Sequence, residues 1–183
     1  RRRKISTSLR HVAFGKILGD DRKPFKTREG TVPALGDVLN EAVDRARRIV
    51  DEKNSALPEE EKQEIAEKIG IGAVKYAELS QARSSDYVFS WEKMLALQGN
   101  TAPYMINAYV RTRSIFRKLE TTPQYSLENI VISEEAERII AMKICQYAEV
   151  VPQVLVDYRP NLLATYLYEL AQNFHSFYEQ CPV

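Results

Sequence analysis

Apolar positions along this chain recur mostly at spacings of three and four, the period of helices packed on one side. Val38, Leu39, Ala42, Val43, Ala46, Ile49 and Val50 follow that rule, with Asp37 placed to cap the start. The pattern breaks at residues 54–57. Pro58 then opens a second helix whose first turn holds Glu59, Glu60 and Glu61, where the helix dipole favours acids. This helix is expected to run to about Lys68 and to stop at Gly70. Residues 73–82 read as a further helix.

Later segments continue the theme. Residues 91–97 are helical, residues 98–103 form a loop, and Pro103 leads into a helix over residues 104–119 carrying Met105, Ala108, Tyr109, Ile115 and Phe116. After a connection over residues 121–132, Ser133 is placed to cap a helix through Ile139, Ile140, Met142, Ile144 and Tyr147. Pro152 is expected to interrupt or kink the chain. Pro160 opens a last helix with Leu163, Tyr166, Leu167, Leu170, Phe174, Phe177 and Tyr178 on one broad stripe. Only residues 11–18 and 87–91 have a strand-like pattern. Between them lies a loop over residues 19–33, punctuated by Gly19, Pro24, Gly30 and Pro33. The expected fold class is mainly α: a small mixed α/β head followed by a helical bundle.

Composition narrows the class. The 183 residues are 44% hydrophobic and 28% charged, the balance of a folded globular chain. The longest uninterrupted apolar run falls well short of the ~20 residues that span a bilayer, and no signal peptide follows the basic start, so no membrane partner and a cytoplasmic location are expected. Two cysteines, Cys145 and Cys181, do not make a disulfide scaffold, and two histidines, His11 and His175, do not make a metal site. Cys145 lies on an apolar stripe and reads as a core residue. Phe174 and Phe177 do too.

The net charge of +1 conceals an asymmetry. Residues 1–28 hold ten cations against two acids, a net of +8, which leaves −7 for the rest. A basic head suits a polyanionic partner, although residues 1–4 read equally well as a solvated tail. A second excess lies at residues 103–118, where Arg111, Arg113, Arg117 and Lys118 occur with no acid.

Two constellations could carry chemistry. Lys23-Pro24-Phe25-Lys26-Thr27-Arg28 sits between a strand and a helix. Ammonium groups on such a loop can follow negative charge onto a leaving pyrophosphate. The same composition also suits a solvated connection, and the glycine-rich stretch of a P-loop is absent. In the second, Tyr104, Ala108 and Arg111 share a helix face. A small residue beside a ring leaves a slot where an unstacked base could lie, which contributes about 1–3 kcal/mol per base. Alternatively, Tyr104 and Tyr109 are core tyrosines with bonded hydroxyls.

Four blocks, in order, resemble the arginyl-tRNA synthetases, which are class I enzymes. They are the Lys-Pro-Phe-Lys-Thr-Arg loop, Gly70-Ile-Gly-Ala-Val-Lys-Tyr-Ala-Glu-Leu-Ser80, Gly99-Asn-Thr-Ala-Pro-Tyr104, and Ala164-Thr-Tyr-Leu-Tyr-Glu-Leu-Ala171 with Phe177-Tyr178-Glu179. The resemblance covers about residues 9 to 183. It implies that Lys23 and Lys26 match the two lysines of the family's KMSKS loop and Thr27 its final serine. Pro24 and Phe25 replace methionine and serine, and Arg28 follows the loop. It further implies that Tyr104, Ala108 and Tyr178 lie at the anticodon-facing surface, with Asn100 and Pro103 shaping the preceding loop. Arg111 is expected to contact phosphate.

The activity implied is ligation of arginine to arginine tRNA: ATP, with Mg2+, activates arginine, and a tRNA ribose hydroxyl then attacks the adenylate. Partners are therefore arginine tRNA, ATP and arginine. Nothing resembles the family's HIGH motif, and its C-terminal helix and methionine are not reached, so a fragment that is inactive alone is expected. Its parts would be the end of the catalytic core at residues 1–35, stem-contact and connecting helices at 36–90, and a truncated anticodon-binding domain at 91–183. The competing expectation is a stand-alone helical RNA-binding or interaction module without catalysis.

Overall fold

The computed structural model describes residues 9–19, 22–24, 34–119 and 130–181. Among them are seven helices and one two-stranded sheet: β1 (Ile17–Leu18), α1 (Leu35–Lys53), α2 (Glu59–Ser80), β2 (Tyr87–Val88), α3 (Trp91–Met94), α4 (Ala102–Lys118), α5 (Glu135–Cys145), α6 (Tyr147–Asp157) and α7 (Pro160–Gln180). The fold is mainly α, as the hydrophobic spacing implies.

α1 and α2 form an antiparallel hairpin that meets through small groups. Ala42, Ala46 and Val50 on α1 and Ala66, Gly70 and Ala73 on α2 are buried along stripes spaced three and four apart. Gly70 therefore does not end a helix. It lies inside a continuous 22-residue α2, and a Cβ there would come within 2.7 Å of the Ala42 carbonyl. The glycine is used for close approach, and the helix expected at residues 73–82 is the second half of α2. At the outer end of the hairpin, Lys62 buries its stem while its Nζ reaches Glu59 at 2.9 Å and Asp51 at 3.5 Å. Arg47 binds the same two acids.

Other boundaries differ from the sequence expectations. α1 begins three residues earlier than a cap at Asp37 implies, with Ala34 at its N-cap and Asp37 in the first turn. α3 ends at Met94, short of Leu97. α4 starts at Ala102, because the Thr101 hydroxyl accepts the Tyr104 N–H at 3.3 Å and donates to the Ala96 carbonyl at 2.7 Å. At α5 the cap is Glu134, not Ser133. The Glu137 carboxylate accepts the N–H groups of Ser133 and Glu134 at 2.8 and 2.9 Å.

Pro152 lies within α6, at the expense of one backbone bond, and the break between α5 and α6 falls at Gln146 instead. Together Glu135–Asp157 are long and apolar enough, by length and composition, to cross a membrane, although no uninterrupted apolar run suggested it. None of α6 is buried, and Ile139, Met142, Ile144, Leu155 and Val156 are exposed along this pair. Cys145, expected in the core, is exposed.

The two strand-like segments are partners. β1 and β2 pair in parallel, Ile17 opposite Tyr87 and Leu18 opposite Val88. The Arg22 N–H donates to the Gly19 carbonyl at 2.9 Å, the Gly19 N–H donates to Lys23 at 3.0 Å, and Leu18 bridges to Pro24. Two apolar clusters hold the helices together. One joins Ala46, Ala66, Ala73, Leu95 and Ala102, and the other joins Ala108, Ala171 and Phe174.

Candidate nucleic-acid interface

α4 and α7 pack through the second cluster and present matched polar-aromatic stripes beside it. Tyr104 and Arg111 are seven apart on α4, and so are Tyr168 and His175 on α7. Residues two turns apart lie on one helix face. The Tyr104 ring lies 5.6 Å from that of Tyr168 and 4.9 Å from the His175 ring, edge-on. The Arg111 guanidinium sits over the Tyr178 ring, 5.3 Å from its centre, and its Nη1 is 3.3 Å from His175 Nδ1. Tyr104, Arg111, Tyr168, His175 and Tyr178 are all half-buried, with one side packed and the other in solvent.

Electrostatics follows from that placement. Arginine can only donate, so His175 Nδ1 must be the acceptor and the neutral ring carries its proton on Nε2. Burial, and next the Arg111 cation, lower the His175 pKa below its ordinary value, while Glu179 opposes them. Burial raises the Tyr104 hydroxyl, Tyr168 adds to the rise and Arg111 opposes it. Both rings are therefore neutral near pH 7, beside a guanidinium that keeps its charge.

The loop before α4 is held from α2. The Tyr76 hydroxyl lies 2.6 Å from Asn100 Oδ1 and 3.1 Å from the Ala164 carbonyl, and burial pushes its pKa to about 12. Asn100 itself is exposed. One tyrosine thus ties α2, the α4 entry and α7 together.

Of the residues singled out by sequence, Tyr104, Arg111 and Tyr178 converge, and Asn100 lies in the loop leading into α4. Ala108 is 8% exposed and packs within the α4–α7 cluster. Tyr109 is largely exposed, against the alternative that placed it in the core. Lys23 is exposed beyond β1, and Pro24 forms the bridge to Leu18. Phe25, Lys26, Thr27 and Arg28 lie outside the described residues. Sequence reasoning passed over Tyr168 and weighed His175 only as a metal ligand, setting it aside. The signal that could have found them is the spacing of seven shared by the two stripes. No group of three or more His, Cys, Asp or Glu side chains suited to a metal occurs among the described residues.

Residues 3–91 match the family model described as the catalytic domain of class I (R) tRNA synthetases, and residues 105–183 match the DALR anticodon binding domain. The chain belongs to the arginyl-tRNA synthetase family. It is 51% identical over 178 residues to an arginine–tRNA ligase of Cellvibrio japonicus, covering 97% of this chain and 31% of that protein. An arginine–tRNA ligase of Mannheimia succiniciproducens is likewise 51% identical, with the same coverage. The chain thus spans about a third of the length of these relatives.

Among solved structures, the Thermus thermophilus arginyl-tRNA synthetase superposes with a TM-score of 0.79 at 28% identity, covering 92% of this chain and 27% of that one. The Plasmodium falciparum arginyl-tRNA synthetase superposes with a TM-score of 0.80 at 29% identity, covering 94% and 29%. Arg111, Tyr168, His175 and Tyr178 of the α4–α7 face fall within the part of this chain that matches the anticodon-binding model, with Tyr104 directly before it, and β1, α1, α2 and β2 fall within the part that matches the catalytic model.

Proposed function

We propose that this chain works within an arginine–tRNA ligase, with α4 and α7 receiving the anticodon and the Lys23–Lys26 loop acting on ATP. The parts would be the end of the catalytic core at residues 1–35, connecting helices at 36–90 and the anticodon-binding helices at 91–183. The observation that carries the reading is the convergence of Tyr104, Arg111, His175 and Tyr178 on one half-open face. Rings fixed on one side and wet on the other suit the stacking of unpaired bases, and the adjacent guanidinium suits their phosphates. Ala108 contributes through its size, letting α4 and α7 approach so that the rings stand side by side. Asn100, fixed by Tyr76, shapes the edge of the surface.

In the reaction, the arginine carboxylate attacks the α-phosphorus of ATP, carried with Mg2+, and pyrophosphate leaves. A ribose hydroxyl of the tRNA then attacks the adenylate and releases AMP. Lys23 and Lys26 offset negative charge as it moves onto pyrophosphate. The match of residues 3–91 to a catalytic domain favours this over a binding module without catalysis. The setting would be the cytoplasm.

The test is a titration of the full-length enzyme with arginine tRNA and with an anticodon-swapped variant, at two salt concentrations. Both affinities should fall with salt, while the preference for the arginine anticodon persists. Equal affinity for the two tRNAs at both salts would remove the anticodon from the assignment.

A further inference from the structure

Arg83 lies in the connection between α2 and β2. The Arg83 guanidinium donates to three backbone carbonyls from different parts of the chain: Ala13 at 2.7 Å, Asp157 at 2.7 Å and Tyr158 at 3.1 Å. Its own carbonyl accepts the Gly15 N–H at 2.5 Å. Gly15 passes so close to the Ser85 carbonyl that a Cβ would overlap it. From that point the chain runs through β1 to Gly19, whose N–H donates to the Lys23 carbonyl, and the adjoining contacts are also fixed. Lys16 N–H donates to Asp86 Oδ1 at 2.7 Å, and the Tyr87 and Phe89 N–H groups donate to Lys16 and Leu18 at 3.1 and 2.9 Å.

The other two carbonyls close α6 and lead into α7. Asp157 ends α6, where carbonyls are unpartnered and the helix dipole attracts a cation. Tyr158 follows in the left-handed region at φ 53°, a conformation a non-glycine residue keeps only when its surroundings enforce it. Arg83 on its carbonyl and Arg10 over its ring, 5.7 Å from the centre, supply those surroundings. Two residues later begins the helix that bears Tyr168, His175 and Tyr178.

We propose that Arg83 is a positioning residue: it fixes the strand that leads to the lysine loop against the α6–α7 joint, and arginine activation depends on it although it touches neither nucleotide nor tRNA. This rests on the ligase reading above. A guanidinium, with five donors in a rigid fork, holds three carbonyls in fixed directions; an ammonium has three donors on a flexible stem and holds them less specifically, and an amide has only two. Displacing a catalytic group by an ångström from a distance is enough to slow chemistry strongly.

The experiment compares Arg83→Gln and Arg83→Lys with the full-length wild type. It measures arginine-dependent ATP–pyrophosphate exchange at saturating arginine tRNA, tRNA affinity, and thermal unfolding. The expected result is a kcat at least about 10-fold lower for Arg83→Gln, with tRNA affinity within about 2-fold and a smaller kcat loss for Arg83→Lys. A kcat within about 3-fold of wild type, or one that falls in step with tRNA affinity, overturns the proposal. Should Arg83→Gln fail to fold, Arg83→Lys decides: a kcat at least about 3-fold lower at unchanged tRNA affinity supports the proposal, and a smaller loss overturns it. A wild-type enzyme without exchange activity would instead overturn the ligase reading.

Discussion

The Arg111 guanidinium carbon stands 5.3 Å from the centre of the Tyr178 ring, so a cation from α4 and an aromatic face from α7 hold one another in place. Arg111 is only partly buried, and a guanidinium suits a phosphate by its fork of donors. Arg111→Ala in the full-length enzyme should weaken binding of many tRNAs alike and lower the slope of log affinity against log salt by about 1. A loss confined to arginine tRNA, with an unchanged slope, would mean that Arg111 reads a base.

Tyr104 and Tyr178 act through their rings. Replacement of either by alanine should cost about 1–3 kcal/mol of affinity for arginine tRNA if a base stacks there, while phenylalanine should retain most of it. Titrations with melting curves alongside separate the possibilities. Lower stability with unchanged affinity would make both tyrosines core residues.

His175 gives the surface a pH dependence. Its pKa is lowered in the folded chain, so the unfolded state takes up a proton first as acid is added. The contribution to stability is complete above the ordinary histidine value of about 6.5 and declines as pH falls from there towards the folded pKa. A proton on Nδ1 would also end its acceptance of the Arg111 N–H and oppose two cations. Proton NMR should therefore show a His175 midpoint below the ordinary value, and Arg111→Ala should move it up. No movement on that substitution would leave burial as the whole cause.

Two glycines on α2 should respond with opposite signs. At Gly70 a methyl group meets the Ala42 backbone at 2.7 Å, so Gly70→Ala should destabilise by about 1–3 kcal/mol. Gly72 has only the Ile106 side chain, at 4.0 Å, so Gly72→Ala should stabilise by up to about 1 kcal/mol through helix propensity. Thermal or denaturant unfolding of the two variants side by side measures the contrast.

Helices were legible in the sequence wherever one face alternates cleanly with solvent, as in α1 and α7, and Pro160 marked its own boundary. Gly70 misled because a glycine that admits a neighbouring backbone looks the same in sequence as one that ends a helix. Pro152 misled because a helix can forgo one backbone bond and continue. Pairing of β1 with β2 was hidden, since two-residue strands about seventy positions apart leave no local trace of their partner. At the interface, Tyr104 and Arg111 came from the helix face they share, and motif resemblance supported Tyr104 and added Tyr178. His175 looked isolated because its neighbours come from another helix. Arg83 carried no signal at all: its acceptors are main-chain carbonyls, which any residue could supply.

The methyl-lined contact between α1 and α2 has a mechanical consequence. Groups as short as those of Ala42, Ala46, Ala66 and Gly70 cannot swing aside, and a slip of one residue would drive Ile69 or Ile71 into the opposing backbone. The hairpin is thus a stiff strut. Any bending during a reaction cycle has to be taken up at its ends, in the short spans around Leu57 and Gln81.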